Sequence, residues 1–260
     1  MIKHYPLASF ITITFLFSWL LWLPQALYSQ GFTTWQNPLW GFGSFGPSLA
    51  GVIIIYSLKG KSGLKELWQR IIRWKVSFKW YLFIVLFPFT AITAALLIFS
   101  ASGGGIPAIN YAESMLLFIP TLILILVLGG PLNEELGWRG FMLPHLLNKS
   151  NALQASLALG IIWAAWHLPL FWISGASQEG IPVFWVLVQI TALSFIFTWL
   201  HHRTGASLLI ALLFHAVLNT SGAILPLLPT QLGDPEPYLF TVVIAVGFAL
   251  YLIIATRGKL

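Results

Sequence analysis

Stretches of about twenty mostly apolar residues, the length that crosses a bilayer as a helix, recur from one end of this chain to the other. Eight windows qualify: about 7–28, 38–58, 80–100, 114–134 (continuing as helix to about 147), 152–173, 182–201, 206–227 and 237–256. Only 8% of the 260 residues are charged. A soluble domain carries about 25%, so most of this surface must face lipid rather than water. The expected fold is all-α: a polytopic transmembrane helical bundle of about eight spans, forming a single integral membrane domain over 1–260. No linker or repeat divides it.

The basic residues set the expected orientation. Lys59, Lys61, Lys65, Arg70, Arg73, Lys75 and Lys79 all lie between spans two and three. With that loop in the cytoplasm, Lys3, Lys149, Arg203, Arg257 and Lys259 fall on the same side, leaving Arg139 as the exception. Glu113, Glu179, Asp234 and Glu236 fall in the opposite loops. This positive-inside pattern puts both termini in the cytoplasm and accounts for the net charge of +6 without nucleic acid. Short loops fit a prokaryotic plasma membrane. The apolar run of the first span exceeds a signal-peptide core, so that span is expected to be retained. Within 59–79, Leu64, Leu67, Trp68, Ile71, Ile72 and Trp74 alternate with basic residues as in an amphipathic helix lying on the inner leaflet. Cysteine is absent, which excludes disulfides, thiol nucleophiles and Cys-ligated metals.

Ionisable side chains inside spans are costly and therefore mark function or tightly paired packing. Three places carry them. In Glu134-Glu135-Leu136-Gly137-Trp138-Arg139, Glu135 and Arg139 are four apart in the favourable ion-pair order, and Glu134 is left without a local cation. Such a carboxylate is either a general base or one member of a buried ionic network. Trp163 and His167 lie one helical turn apart in span five, and His215 and Asn219 share a face of span seven. Counted from the inner span ends, Glu134, His167, His215 and Asn219 all lie roughly 15–24 Å along their helix axes. Polar groups from three spans in one layer favour a shared site over unrelated interhelical hydrogen bonds.

These residues resemble the motifs of the CPBP family, the CAAX proteases and bacteriocin-processing (Abi-type) intramembrane endopeptidases. The family pattern Glu-Glu-x-x-x-Arg, aromatic-x-x-x-His and His-x-x-x-Asn or Asp is met by Glu134-Glu135-x-x-x-Arg139, Trp163-x-x-x-His167 and His215-x-x-x-Asn219. The likeness in motifs is confined to about 134–219, within a motif-bearing core of about 114–227. It departs from the family at Trp163, where phenylalanine is usual. The resemblance implies an intramembrane endopeptidase acting near the cytoplasmic leaflet on a peptide or protein substrate, in some members a lipidated one. Glu134 and His167 would activate water, His215 and Asn219 would stabilise the oxyanion, and Glu135, Arg139 and Trp163 would support them. No cofactor is favoured. A zinc-assisted version, with Glu134, His167 and His215 as ligands, leaves no obvious general base. The competing functions are a non-enzymatic scaffold or bacteriocin-immunity protein, and a proton-coupled transporter titrating Glu134.

Lesser candidates have simpler readings. His201, His202 and Arg203 close span six as interfacial anchors, and His145 reads the same way. Gln189 and Thr191 either line a cavity or make packing hydrogen bonds. Trp19, Trp22, Trp40, Trp74, Trp80 and Trp199 read as interface anchors. The small residues from Gly41 to Gly51 read as a close helix contact.

Overall fold

A computed structural model describes residues 2–105 and 111–260, with side chains from 116 onward in the second segment. The side chain of Glu113, assigned above to an outer loop, lies outside the described residues. Nine main helices follow in order: α1 (Pro6–Ser29), α2 (Gly46–Ile71), α3 (Phe78–Ala101), α4 (Tyr111–Leu128), α5 (Pro131–Leu147), α6 (Ala152–Trp166), α7 (Val183–Arg203), α8 (Leu208–Ile224) and α9 (Glu236–Ala255). There is no strand among the described residues. Among the described residues, seven helices are long and apolar enough to cross a membrane, and α4 with α5 makes an eighth when the bent pair counts as one span. The expected helical membrane bundle is thus what the chain forms.

The helix ends follow from local chemistry. Asn151 accepts from the Gln154 backbone N–H at 2.9 Å and Ser207 from that of Ile210 at 3.3 Å, capping α6 and α8. α6 ends at His167, two residues before Pro169, and the chain tightens into a 3₁₀ turn over Leu168–Trp172. His167 therefore sits where the α-helix passes into that turn, within a span running Ala152–Trp172 as expected. In α2 the helix is interrupted at Gly60, with φ 60° and ψ −147°, a region open to glycine. Beyond that break the basic stretch runs as a separate helical piece: Leu67 is buried, while Lys61, Lys65 and Trp68 are exposed.

Span four departs most from a simple rod. α4 stops at Leu128, Gly129 and Gly130 break the helix, and α5 continues at 45° to α4. Gly130 has φ +114°, and Pro131 has no N–H to give to the preceding turn. α5 then widens into a π-helical turn over Trp138–Met142 before closing at Leu147. Arg70 holds that turn from outside, donating to the carbonyls of Arg139 (2.7 Å), Gly140 (2.9 Å) and Ala206 (3.0 Å).

Small residues bring the elements together as expected for helices in lipid. A β-carbon on Gly51 would stand 2.8 Å from Gly137 Cα, and one on Gly137 would collide with the Pro47 carbonyl. Ser48 Oγ also donates to Leu132 O at 2.8 Å, so α2 grips the start of α5. Gly160 of α6 lies against Thr191 of α7, which identifies Thr191 as a packing residue. Trp22 and Trp80 are not simple interface anchors. Trp22 is 2% exposed and packs on Trp166 at 4.7 Å, and Trp80 meets Trp199 edge-on at 5.0 Å.

Because the Gly51–Gly137 crossing fixes α5, Gly137→Ala is expected to destabilise the protein by about 1–3 kcal/mol through overpacking. Thermal unfolding in detergent measures this. Gly247→Ala, which adds a methyl group where nothing lies within 4 Å, is the control and should leave the midpoint unchanged. Equal midpoints for both variants would remove the crossing as a constraint.

Candidate active site

The break between α4 and α5 places Glu134 in the first turn of α5, facing inward. Glu134, His167, His215 and Asn219 all line one cavity of about 550 Å³. Its remaining walls are largely apolar and include Phe87, Ile125, Leu128, Leu218 and Leu227, with Trp163 and Gln189 beside the polar cluster. The residues picked from three separate spans are therefore brought together.

Hydrogen bonds divide the polar atoms between those held by protein and those turned to the cavity. Trp163 Nε1 donates to Glu134 Oε2 at 2.7 Å. His167 Nδ1 lies 2.8 Å from the Trp163 carbonyl, which can only accept, so Nδ1 carries the proton and Nε2 keeps a free lone pair. His215 Nδ1 lies 2.8 Å from Glu135 Oε1, which leaves its Nε2 for the cavity. Asn219 Nδ2 donates to Gly129 O at 3.0 Å, satisfying a carbonyl at the helix break.

One glycine marks where the free atoms converge. A β-carbon on Gly130 would lie 2.8 Å from Glu134 Oε1, 3.5 Å from Asn219 Nδ2 and 3.6 Å from His215 Nε2. The three atoms therefore surround a small volume that only the missing side chain keeps open.

Beneath them lies an ionic support. Glu135 Oε1 accepts from Arg139 Nη1 at 2.8 Å as well as from His215, and both members of the ion pair are almost wholly buried. The Arg139 guanidinium lies 4.1 Å from the Trp163 ring centroid and 3.8 Å from that of Phe197, cation–π contacts with two rings set at 86° to each other. The sequence pattern identified the Glu135–Arg139 pair. It did not reveal that Glu135 also orients His215, nor that Trp163 donates to Glu134. The first contact spans 80 residues, so no local spacing encodes it. The second was signalled only by an indole where a plain ring is usual.

Among the described residues, no three His, Asp or Glu side chains are grouped so that they could hold a metal ion. Glu134, His167 and His215 share the cavity without forming a three-ligand site. His145, His201 and His202 take no part in the cavity; His202 Nδ1 instead lies 3.0 Å from Leu260 O.

A family model described as type II CAAX prenyl endopeptidase Rce1-like matches residues 116–221, from α4 through α8, the helices that carry every motif residue. The chain is also 25% identical over 237 residues to CAAX prenyl protease 2 of Methanococcus maripaludis, covering 86% of each chain. Both matches agree with the resemblance of the motifs to the CPBP family. They support a protease of the CAAX type, a hydrolase integral to a membrane. The CPBP motifs account for Glu134, Glu135, Arg139, His167, His215 and Asn219, but not for Gly130.

Replacing Gly130 tests the convergence directly. Gly130→Ala would put a methyl group among the three polar atoms and force a positive φ on alanine, a backbone cost of about 1–2 kcal/mol. We expect peptide cleavage to fall at least about 100-fold while the protein still purifies as a folded species. Near-parental turnover would mean that these atoms do not act together.

Proposed function

We propose that this protease cleaves a peptide bond by direct attack of a water molecule activated by Glu134 and held by His167. The observation that carries the reading is the convergence of Glu134, His167, His215 and Asn219 on one largely apolar cavity. Glu134 Oε1 removes a proton from water while the bare Nε2 of His167 accepts the second water hydrogen bond. The hydroxide adds to the peptide carbonyl carbon, and the oxyanion is met by Asn219 Nδ2 and by His215 Nε2 in its imidazolium form. Glu135 supplies the counter-charge at 2.8 Å. Oxyanion donors of this kind contribute about 3–4 kcal/mol each in soluble enzymes. The proton on Glu134 then passes to the leaving nitrogen as the C–N bond breaks, giving a carboxylic acid and an amine, between which the acid proton finally transfers.

The apolar walls suit a substrate segment rich in aliphatic residues or bearing a lipid. The name of the archaeal relative points the same way, to prenylated proteins. In this reading the scissile bond lies towards the cytoplasmic leaflet of a prokaryotic plasma membrane, an orientation supported by the positive-inside pattern.

Glu134→Gln and His167→Ala should each lower cleavage of a prenylated C-terminal peptide by at least about 1,000-fold in detergent, with thermal midpoints within a few degrees of the parent. A fully active Glu134→Gln protein would overturn the reading. The same assay in excess chelator should show unchanged turnover. Activity that disappears with chelator and returns with zinc would transfer the role of Glu134 from base to ligand.

A further inference from the structure

We infer that Trp163 is a positioning residue for Glu134, acting through its indole N–H rather than through its bulk. The inference rests on Glu134 being the base. A carboxylate on a two-carbon stem can rotate about its last torsion, so both oxygens compete to face the cavity. The bond from Trp163 Nε1 to Oε2, at 2.7 Å, removes that freedom. Oε1 is left on the Gly130 side, beside His215 Nε2 and Asn219 Nδ2. A phenylalanine would keep a ring in place but donate nothing.

The indole is itself held on every side. Its ring lies 4.1 Å from the Arg139 guanidinium, which also meets the Phe197 ring at 3.8 Å. Its ring meets His215 at 5.7 Å and His167 at 6.0 Å between centroids, and it packs edge-on against Phe197 at 5.8 Å. Its backbone carbonyl fixes Nδ1 of His167. One residue thus orients the base through its side chain and the partner imidazole through its main chain, while its ring covers the ion pair beneath. Orientation of this kind matters because a displacement of about 1 Å at a reacting atom can cost 100-fold in rate.

The test separates the N–H from the ring. In place of Trp163, 3-benzothienylalanine exchanges the N–H for sulfur at nearly constant shape, and Trp163→Phe removes both donor and second ring. Hydrogen bonds to charged groups predict about a tenfold loss of kcat for the benzothienyl variant. KM should change less than twofold, and the pH profile of kcat should be displaced. Trp163→Phe should lose at least as much. A benzothienyl variant with parental kcat and parental pH profile would overturn the inference, as would a rise in KM with kcat unchanged. Glu134→Gln assayed in parallel keeps the two readings apart. Its full activity would remove the base assignment itself, whereas an inactive Glu134→Gln beside a parental benzothienyl variant would remove only the role of Trp163. If Trp163→Phe unfolds, the isosteric variant still decides the question.

Discussion

The buried ion pair between Glu135 and Arg139 is the constraint on which the centre of the bundle depends. Both side chains are withdrawn from water, and removing one partner of such a pair typically costs 3–5 kcal/mol because the other charge is stranded. The pair also does not close on itself. Glu135 reaches across to His215 on α8, and Arg139 makes cation–π contacts with Trp163 on α6 and Phe197 on α7. One cation and one anion therefore tie α5 to three other helices at a single level. The ring faces compensate the guanidinium where hydrogen bonds reach only Nη1 among the described residues.

That arrangement explains why much of the site can be read from spacing and part of it cannot. Residues four apart on one helix share a face, so Glu135–Arg139, Trp163–His167 and His215–Asn219 emerge as pairs from the chain alone. Hydropathy and charge bias likewise expose the spans, because a bilayer imposes one length and one composition on each. Contacts between helices obey no such rule. The bond from His215 to Glu135 and that from Trp163 to Glu134 depend on the rotation and depth of whole helices. These are set in turn by packing such as Gly51 on Gly137, which no single segment specifies. The change of helix type at His167 was hidden for a related reason: the proline two residues later ends α6 without interrupting the apolar run of the span.

Arg70 shows how the basic segment after α2's break bears on the same level. Its hydrogen bonds to the carbonyls of Arg139 and Gly140 engage the π-helical turn, where the regular ladder is displaced and carbonyls seek other donors. The third bond, to Ala206, ties the loop before α8 to the same guanidinium. The basic stretch that marks orientation in the sequence thus also joins α5 and α8, the helices carrying Glu134 and His215.

The broken fourth span is where fold and chemistry require one another. Irregular backbone at membrane depth is tolerated only where it is covered by protein or lines a wet cavity. Gly129, Gly130 and Pro131 break the helix, and Asn219 from α8 satisfies the Gly129 carbonyl at 3.0 Å. The same break turns α5 by 45° and starts it afresh, so Glu134 falls in a first turn facing the cavity instead of on the side of a straight rod. A continuous helix would satisfy its backbone but would place a β-carbon or a neighbouring turn where Gly130 leaves room for three polar atoms. The glycine pair therefore creates both the irregularity that needs a polar cavity and the space that makes that cavity usable for attack on a peptide bond.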